Sequence, residues 1–352
     1  MIEIRTFDGG PGELARFTVG VWRQAYEGRM MIFLWSEDLF RRELFSEDDG
    51  CRDYLIAAYD GAKLVGSHPS KPLMIRLHGE AVSATWGSFI SVDEAYRRRG
   101  VTFKLQQEWT RRHREHGAAV NLGYQYVRSP HAMGPKFWLQ QPDRHPIISK
   151  VGLWVRAFDH AAVARCQLHR LEGWGARILS LVQTPPRPPT KLKGVRPYHL
   201  EDFDACHRLI SLAGQSADLA YLWKPAGLRR QLRFGRLSDT VVMEHDGAVA
   251  GLVNYSLLDT LGKGTFTLAL IELLAFGDLP AAERRTLLSA ALSQMHAAGA
   301  QAAIMLRGSP YGWRTLLAAG FLPMPADQYY IGARFNHRLR LDGVRQMQVL
   351  LR

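Results

Sequence analysis

The chain has 352 residues, 47% hydrophobic and 22% charged, with a formal net charge of +12 and a pI near 9.8. That composition excludes a disordered or collagen-like chain and fits two globular domains. The positive balance predicts an anionic partner, whether nucleic acid, an acidic membrane surface or a phosphate-bearing small molecule. Because no zinc-finger, RNA-recognition or basic-zipper pattern accompanies the scattered cations, nucleic acid is disfavoured.

The start, "MIEIRTFDGG", lacks the basic and apolar segments of a secretory signal. The longest apolar stretch, "TFTLALIELLAFG", is broken by Glu272 and too short for a membrane span, so a cytoplasmic protein is expected. Cys51, Cys166 and Cys206 lack metal-ligand spacing and leave one thiol over, which predicts reduced cysteines. His113 and His116 in "RRHREH" have no suitably spaced carboxylate, so no metal is expected.

In chain order, "IEIRTFDGG" reads as a strand leading into an amphipathic helix, and "LIAAYDGAKLVG" as a strand, an Asp-Gly turn and a strand. "AVSATWGSFISVD" is the central strand, "TFKLQQEWTRRHREHG" a helix with a glycine stop, and "AAVNLGYQ" a buried strand. Residues 159–193 combine an amphipathic run (Val163, Leu168, Leu171, Trp174, Ile178, Leu181) with the spacer "TPPRPPTKLKG", and predict a joint whose helix packs between domains. From residue 194 the order recurs: "GVRPYHLEDF", "TVVMEHDGAVAGLV", "FTLALIELLAFG", "ERRTLLSAALSQMHAAG", "AQAAIML". The expected architecture is α+β, two tandem domains, each a mixed, mostly antiparallel sheet flanked by helices. The expected boundaries are 1–158, a linker 159–193, 194–337 and a basic C-terminal tail 338–352. Trp86, Trp138, Trp154 and Trp174 read as core or pocket wall.

"DEAYRRRGVTF" crowds Arg97, Arg98 and Arg99 before Gly100, at the start of a helix whose first turn already carries partial positive charge. The crowding becomes favourable once an anion lies between them: a strand ending in a tight glycine loop offers several free backbone N–H groups, and guanidinium groups add opposing charge. Gly100 lets a pyrophosphate approach the backbone.

This stretch resembles the acyl-CoA signature of the GNAT superfamily of N-acyltransferases, with Arg97 at the first motif position and Gly100 at the central glycine. Thr102 departs from the small residue that usually ends the motif. The resemblance covers about residues 1–158. It implies acetyl-CoA, or another acyl-CoA, as co-substrate, bound by Phe89, Ile90, Ser91 and Val92 along the strand and by Arg97, Arg98, Arg99, Gly100, Val101 and Thr102 at the loop. It also implies acyl transfer to the amine of a small-molecule acceptor, anionic or neutral, held between the domains.

The second copy reads as the same fold without the cofactor site. "AAERRT" (281–286) aligned with "RRRGVT" (97–102) sets Glu283 against an Arg and Arg284 against Gly100, while "SPYGWRTLLAAGFLPM" resembles the family's closing segment. Many relatives protonate the departing thiolate with a Tyr in the short helix after the central crossover. Here Phe137 and Trp138 fall there in "HAMGPKFWLQQ", and Leu316 in the second copy. Tyr124, at the end of the strand, ranks first as a substitute, followed by Tyr126 and His131, with Ser88 in the central strand as a polar group for a water relay. Glu272 lies opposite Ser88 in the second copy; a structural role is preferred over one facing the acceptor. Two rival readings are an aminoacyl-tRNA-dependent transferase, which suits the charge but needs no pyrophosphate loop, and a non-catalytic acyl-CoA sensor.

Overall fold

The computed structural model describes residues 1–46, 50–87, 89–127, 129–139, 145–168, 185–186, 194–308, 312–326 and 328–351. In the first copy, Ile2 and Ile4 alternate with polar residues in β1 (Ile2–Thr6), and α1 (Pro11–Tyr26) follows with proline in its first turn, where the missing N–H costs nothing. After β2 (Ile32–Leu34), α2 (Glu37–Leu44) is capped by Ser36, whose hydroxyl accepts the Leu39 N–H at 3.2 Å. β3 (Leu55–Asp60) pairs antiparallel with β1 and turns into β4 (Lys63–Leu77), which pairs with β5 (Glu80–Gly87) and then with β6 (Ser91–Val92). α3 (Val101–Glu115) crosses over to β7 (Val120–Gln125), parallel to β5, and α4 (Met133–Trp138) follows. Val101, Leu105 and Trp109, at helical spacing, bury one face of α3 against Ile56, Ala58 and Val65.

The second copy repeats the plan. β8 (Ile147–Ala157) and α5 (His160–Cys166) precede β9 (Val195–Pro197), α6 (Phe203–Gln215), β10 (Leu219–Leu222) and α7 (Pro225–Leu232). The meander β11 (Ser238–His245), β12 (Ala248–Leu261) and β13 (Thr265–Ala275) leads through α8 (Ala281–Ala297) to β14 (Ala302–Arg307), parallel to β13. α9 (Trp313–Ala318), β15 (Leu322–Pro323), β16 (Gln328–Arg334) and β17 (Met347–Gln348) end the chain. The repeat extends to helix ends. α3 and α8 both stop at a glycine of positive φ, Gly117 and Gly299, with the next amide reaching back into the last turn: Ala118 N–H to His113 O, and Ala300 N–H to Met295 O.

The compact units are not the contiguous halves that the sequence suggested. One comprises Met1–Lys150 with Gln328–Val344, the other Val151–Asp327 with Arg345–Leu351. β16, from the end of the second copy, lies antiparallel on β7, and residues 152–157 of β8, from the end of the first, lie antiparallel on β14. The boundaries 1–158 and 194–337 therefore cut through both sheets. Strand periodicity says which face is buried and carries no label for the neighbouring strand. The expected basic tail is likewise built in: Leu341, Val344, Met347, Val349 and Leu350 are buried, and β17 pairs parallel with β10. Of the proposed joint helix, only 160–166 is seen as helix; residues 169–184 and 187–193 lie outside the described residues, with Trp174 among them.

Cys51, Cys166 and Cys206 are buried and form no disulfide, and Trp86, Trp138 and Trp154 are core residues. Among the described residues no helix is long and apolar enough to cross a membrane, and no cluster of His, Cys, Asp or Glu is arranged to hold a metal.

Candidate active site

The loop ahead of α3 is braced from below. Asp93 accepts the Ala95 N–H at 2.9 Å and pairs with Lys63 at 3.0 Å, and the Tyr96 hydroxyl donates to Asp60 at 3.0 Å. These contacts hold a short turn from which the three arginines project, all exposed. Arg97 lies 3.8 Å from Glu94, and Arg99 lies over the Tyr96 ring at 5.2 Å. Arg98 and Gly100 flank Arg99 with φ of +62° and +75°, the alternating backbone that turns successive N–H groups to one side. A non-glycine residue at such φ is uncommon and marks a site held by its surroundings.

Gly100 is the N-cap of α3, with no side-chain cap and no acidic residue in the first turn. The first intrahelical bond is Lys104 N–H to Gly100 O, so the amides of Val101, Thr102 and Phe103 have no helical acceptor. A Cβ placed on Gly100 would meet nothing within 4 Å, so the approach to these amides is open. Thr102, the departure from the motif, is half-buried within the first turn.

The central strand breaks beside this loop. β5 and β7 run parallel from Ala84–Val120 to Trp86–Leu122, and Gly123 remains close, its Cβ direction 3.4 Å from Gly87 O. The chain then leaves β7: Phe89 takes φ +63°, and Ser91 and Val92 pair with Ser67 and Gly66 of β4. Among the described residues no strand pairs with the other edge of β6. The bulge is pinned from behind, since Ser91 Oγ donates to Phe89 O at 2.8 Å and accepts from Trp22 Nε1 at 3.1 Å. The Phe89 ring is buried against Trp35, Phe40 and Trp86 at 4.7, 5.2 and 5.4 Å between centroids, and Ile90 beside it is half-buried.

Tyr124 is the first residue of β7 past this parting that carries a side chain; it is half-buried and opposite Tyr330 of β16. Tyr126 lies beyond the end of β7 and is 37% exposed, and His131 is exposed. Ser88 lies outside the described residues. The sequence reading passed over three groups here. Trp22 and Tyr26 share a face of α1; burial pushes the Tyr26 hydroxyl up, opposed by the Met133 backbone and the Arg97 charge. Glu43 is buried on α2, paired with Arg42 at 2.9 Å and Lys71 at 3.4 Å. The spacing of Leu39, Phe40 and Leu44 carried a signal for it, because it puts residue 43 on the inner face.

The second copy differs at both points. Its N-cap is Pro280, and Arg284 N–H bonds Pro280 O, so the position structurally matching Gly100 is Pro280 and not Arg284 as the sequence alignment had it. The arginine pair in "ERRT" belongs to the helix body, and helix periodicity gave no marker for the exact cap. Glu283 occupies the first turn and meets His245 at 2.9 Å, while Arg284 Nε bonds Leu279 O at 2.6 Å. β13 runs unbroken, and its register slips at Glu272, between Leu273 and Ile271. Glu272 fills this bulge, accepting hydrogen bonds from Ser256 Oγ at 2.8 Å and from Gln231 Nε2, while Gln231 also donates to Asn254 at 2.8 Å. This is the structural role preferred from the sequence.

Residues 17–129, from α1 to just past β7, match the family model described as an acetyltransferase (GNAT) domain. No curated protein matches the chain in sequence. Among solved structures, Saccharomyces cerevisiae N-myristoyltransferase with bound myristoyl-CoA is similar in fold: TM-score 0.73 and 15% identity, covering 95% of this chain and 78% of that one. A probable N-acyltransferase from Enterococcus faecalis (TM-score 0.56, 10% identity, 96% and 74% covered) and a GCN5-related N-acetyltransferase from Anabaena variabilis (TM-score 0.56, 10% identity, 94% and 72% covered) share the fold more distantly. Residues 17–129 thus match an acetyltransferase (GNAT) domain, and the chain shares the fold of these N-acyltransferases along nearly its whole length.

Proposed function

We propose that this protein is an acyl-CoA-dependent N-acyltransferase whose first copy holds the co-substrate, and that it moves a short acyl group, acetyl by preference, to the amine of a small-molecule acceptor. The observation that carries this reading is the uncapped start of α3, with Arg98 and Gly100 in left-handed backbone and no carboxylate in the first turn. The pyrophosphate takes the free amides of Val101 to Phe103 and the charge of Arg97 to Arg99. The pantetheine arm adds along the edge of Phe89 to Val92 as a short extra strand, bringing the thioester to the parting of β5 and β7. The deprotonated amine attacks the thioester carbonyl, a backbone N–H of this strand stabilises the oxyanion, and Tyr124 protonates the departing CoA thiolate. The short chain is supported by the Phe89, Trp35, Phe40 and Trp86 rings, which fill the space behind the bulge.

The likeness to N-myristoyltransferase favours a second reading with a longer acyl chain. Thiol release with acetyl-CoA and myristoyl-CoA, over a panel of amines and peptide N-termini, decides between them. Faster turnover of acetyl-CoA is expected. Binding without turnover of any acceptor would leave a sensor, and no acyl-CoA binding would remove the proposal.

A further inference from the structure

The helix after β2 and its counterpart after β10 differ sharply in charge. α2 and α7 align residue for residue, "EDLFRREL" (37–44) against "PAGLRRQL" (225–232), and both bury the same two apolar positions: Phe40 and Leu44 in the first, Leu228 and Leu232 in the second. The arginine pair is common to both, Arg41 and Arg42 against Arg229 and Arg230. In α2 it is neutralised within the helix, Arg41 by Glu37 and by Asp38 at 3.0 Å, and Arg42 by Glu43 at 2.9 Å. α7 has Pro225, Ala226 and Gln231 at those three acidic positions.

The charge runs on past the helix. From Leu222 to Ser238 the chain carries Lys224, Arg229, Arg230, Arg233 and Arg236 and no carboxylate. Lys224, Arg229, Arg233 and Arg236 are exposed, and among the described residues none of these four forms an ion pair. The helix dipole favours cations in the last turn of α7, which accounts for Arg229 and Arg230 but not for Lys224 at the N-cap or Arg236 beyond the end. Arg229 and Arg233, four residues apart, repel each other, a cost that an anionic partner removes. The cations also stand on fixed supports. Arg229 rests on the Phe203 ring at 3.9 Å, and Arg233 and Arg236 flank a closed turn in which Gly235 takes φ +53° and Phe234 and Ser238 exchange backbone hydrogen bonds of 3.1 and 3.3 Å. Little backbone ordering is then needed on binding.

The patch lacks what two kinds of anionic partner require. No large hydrophobic side chain between 222 and 238 is exposed, so it has no apolar anchor of the kind that protein interfaces bury. Trp223 and Phe234 are half-buried and Phe203 is buried beneath Arg229, so no ring face is offered to a nucleic-acid base, and Leu228 and Leu232 hold α7 in the core and out of any groove. Charge alone remains, and anionic lipid headgroups match it: their phosphates suit the guanidinium forks, and they diffuse laterally to the spacing of the cations. We infer that the face of the second copy from Lys224 to Arg236 docks, without insertion, on a membrane surface rich in anionic phospholipid.

The test sediments the full chain with phosphatidylcholine vesicles with and without phosphatidylglycerol. Partition is expected only with phosphatidylglycerol, and it should weaken as salt is raised. Arg229→Gln/Arg233→Gln/Arg236→Gln should lower it about 100-fold, at about fivefold per cation, with an unchanged urea midpoint showing that the variant is folded. Removing as many charges at the other basic loop, in Arg97→Gln/Arg98→Gln/Arg99→Gln, should cost less than fivefold. Equal losses in the two variants would make net charge responsible and overturn the inference, as would absence of partition or partition indifferent to phosphatidylglycerol. If the α7 variant loses affinity for single-stranded RNA while its vesicle binding is unchanged, the patch serves nucleic acid and the inference is likewise overturned.

Discussion

The starts of α3 and α8 are the same feature of the same fold, finished in opposite ways. At α3 the cap is a glycine at φ +75°, the first turn has no acid, and three arginines stand outside. At α8 the cap is a proline, Glu283 sits in the first turn, and Arg284 is spent on the Leu279 carbonyl. The adjoining strands repeat the contrast: Phe89 and Ser91 hold the first bulge open toward β7, whereas Glu272 fills the second with hydrogen bonds from Ser256 and Gln231. Neither start has a side-chain cap, but α3 leaves its amide charge unopposed, whereas Glu283 sets a negative charge in the first turn of α8. The two copies thus share one architecture and differ at a few terminal and bulge residues.

The comparison breaks most visibly at Gly100. Gly100→Glu places a carboxylate at the open amides and forces a side chain into positive φ, so acetyl-CoA affinity should fall more than 100-fold by calorimetry, a change of about 2.7 kcal/mol. Pro280→Gly should change it less than twofold; comparable losses in the two variants would erase the distinction between the copies.

Next in size is Tyr124→Phe. Removing the hydroxyl proposed to protonate the thiolate should lower kcat in the thiol-release assay about 100-fold with little change in KM, whereas Tyr126→Phe should have almost no effect. A normal kcat for Tyr124→Phe would move the proton to another group, with Tyr26 the first to examine.

Glu272→Leu sharpens the other side. It strands the Gln231 amide and the Ser256 hydroxyl in the core and should lower unfolding free energy by about 2 kcal/mol in urea titrations, with acetyl-CoA affinity preserved. Lost binding at unchanged stability would mean that the second copy contributes to the site.

The smallest effect, read over a single pH unit, is in acid. Burial pushes His68 and His113 down to about 3, so both stay neutral in the folded protein while the unfolded chain takes up protons below about 6.5. Stability should therefore fall as pH drops from 6.5 toward 3, by at most about 1.4 kcal/mol per pH unit for each histidine. His68→Phe, which keeps a ring stacked on Trp109, should flatten that slope between pH 6 and 5; an unaltered slope would assign the acid sensitivity to other groups.

Much of this was legible beforehand. The Asp-Gly hairpins, the glycine stops at Gly117 and Gly299, and the helix that follows the Gly100 loop are local features, written in residues a few positions apart. Glu272 could be recognised as anomalous because an acid inside an apolar run must find partners. Trp22, Tyr26 and Glu43 were not singled out, since their importance lies in what they touch: Ser91, Met133 and Lys71 are distant in the chain.

By itself, then, the sequence determined the repeat, the element types and the glycine loop before α3, because periodicity, turn residues and caps act over one or two helical turns or a single hairpin. Only the tertiary structure decided that β16 closes the sheet on β7, that residues 152–157 of β8 join β14, that the C-terminal segment is buried, and that Pro280 stands where Gly100 does. The reason is physical: a strand edge offers the same N–H and C=O groups to any partner, so pairing is settled by register and burial across the whole fold.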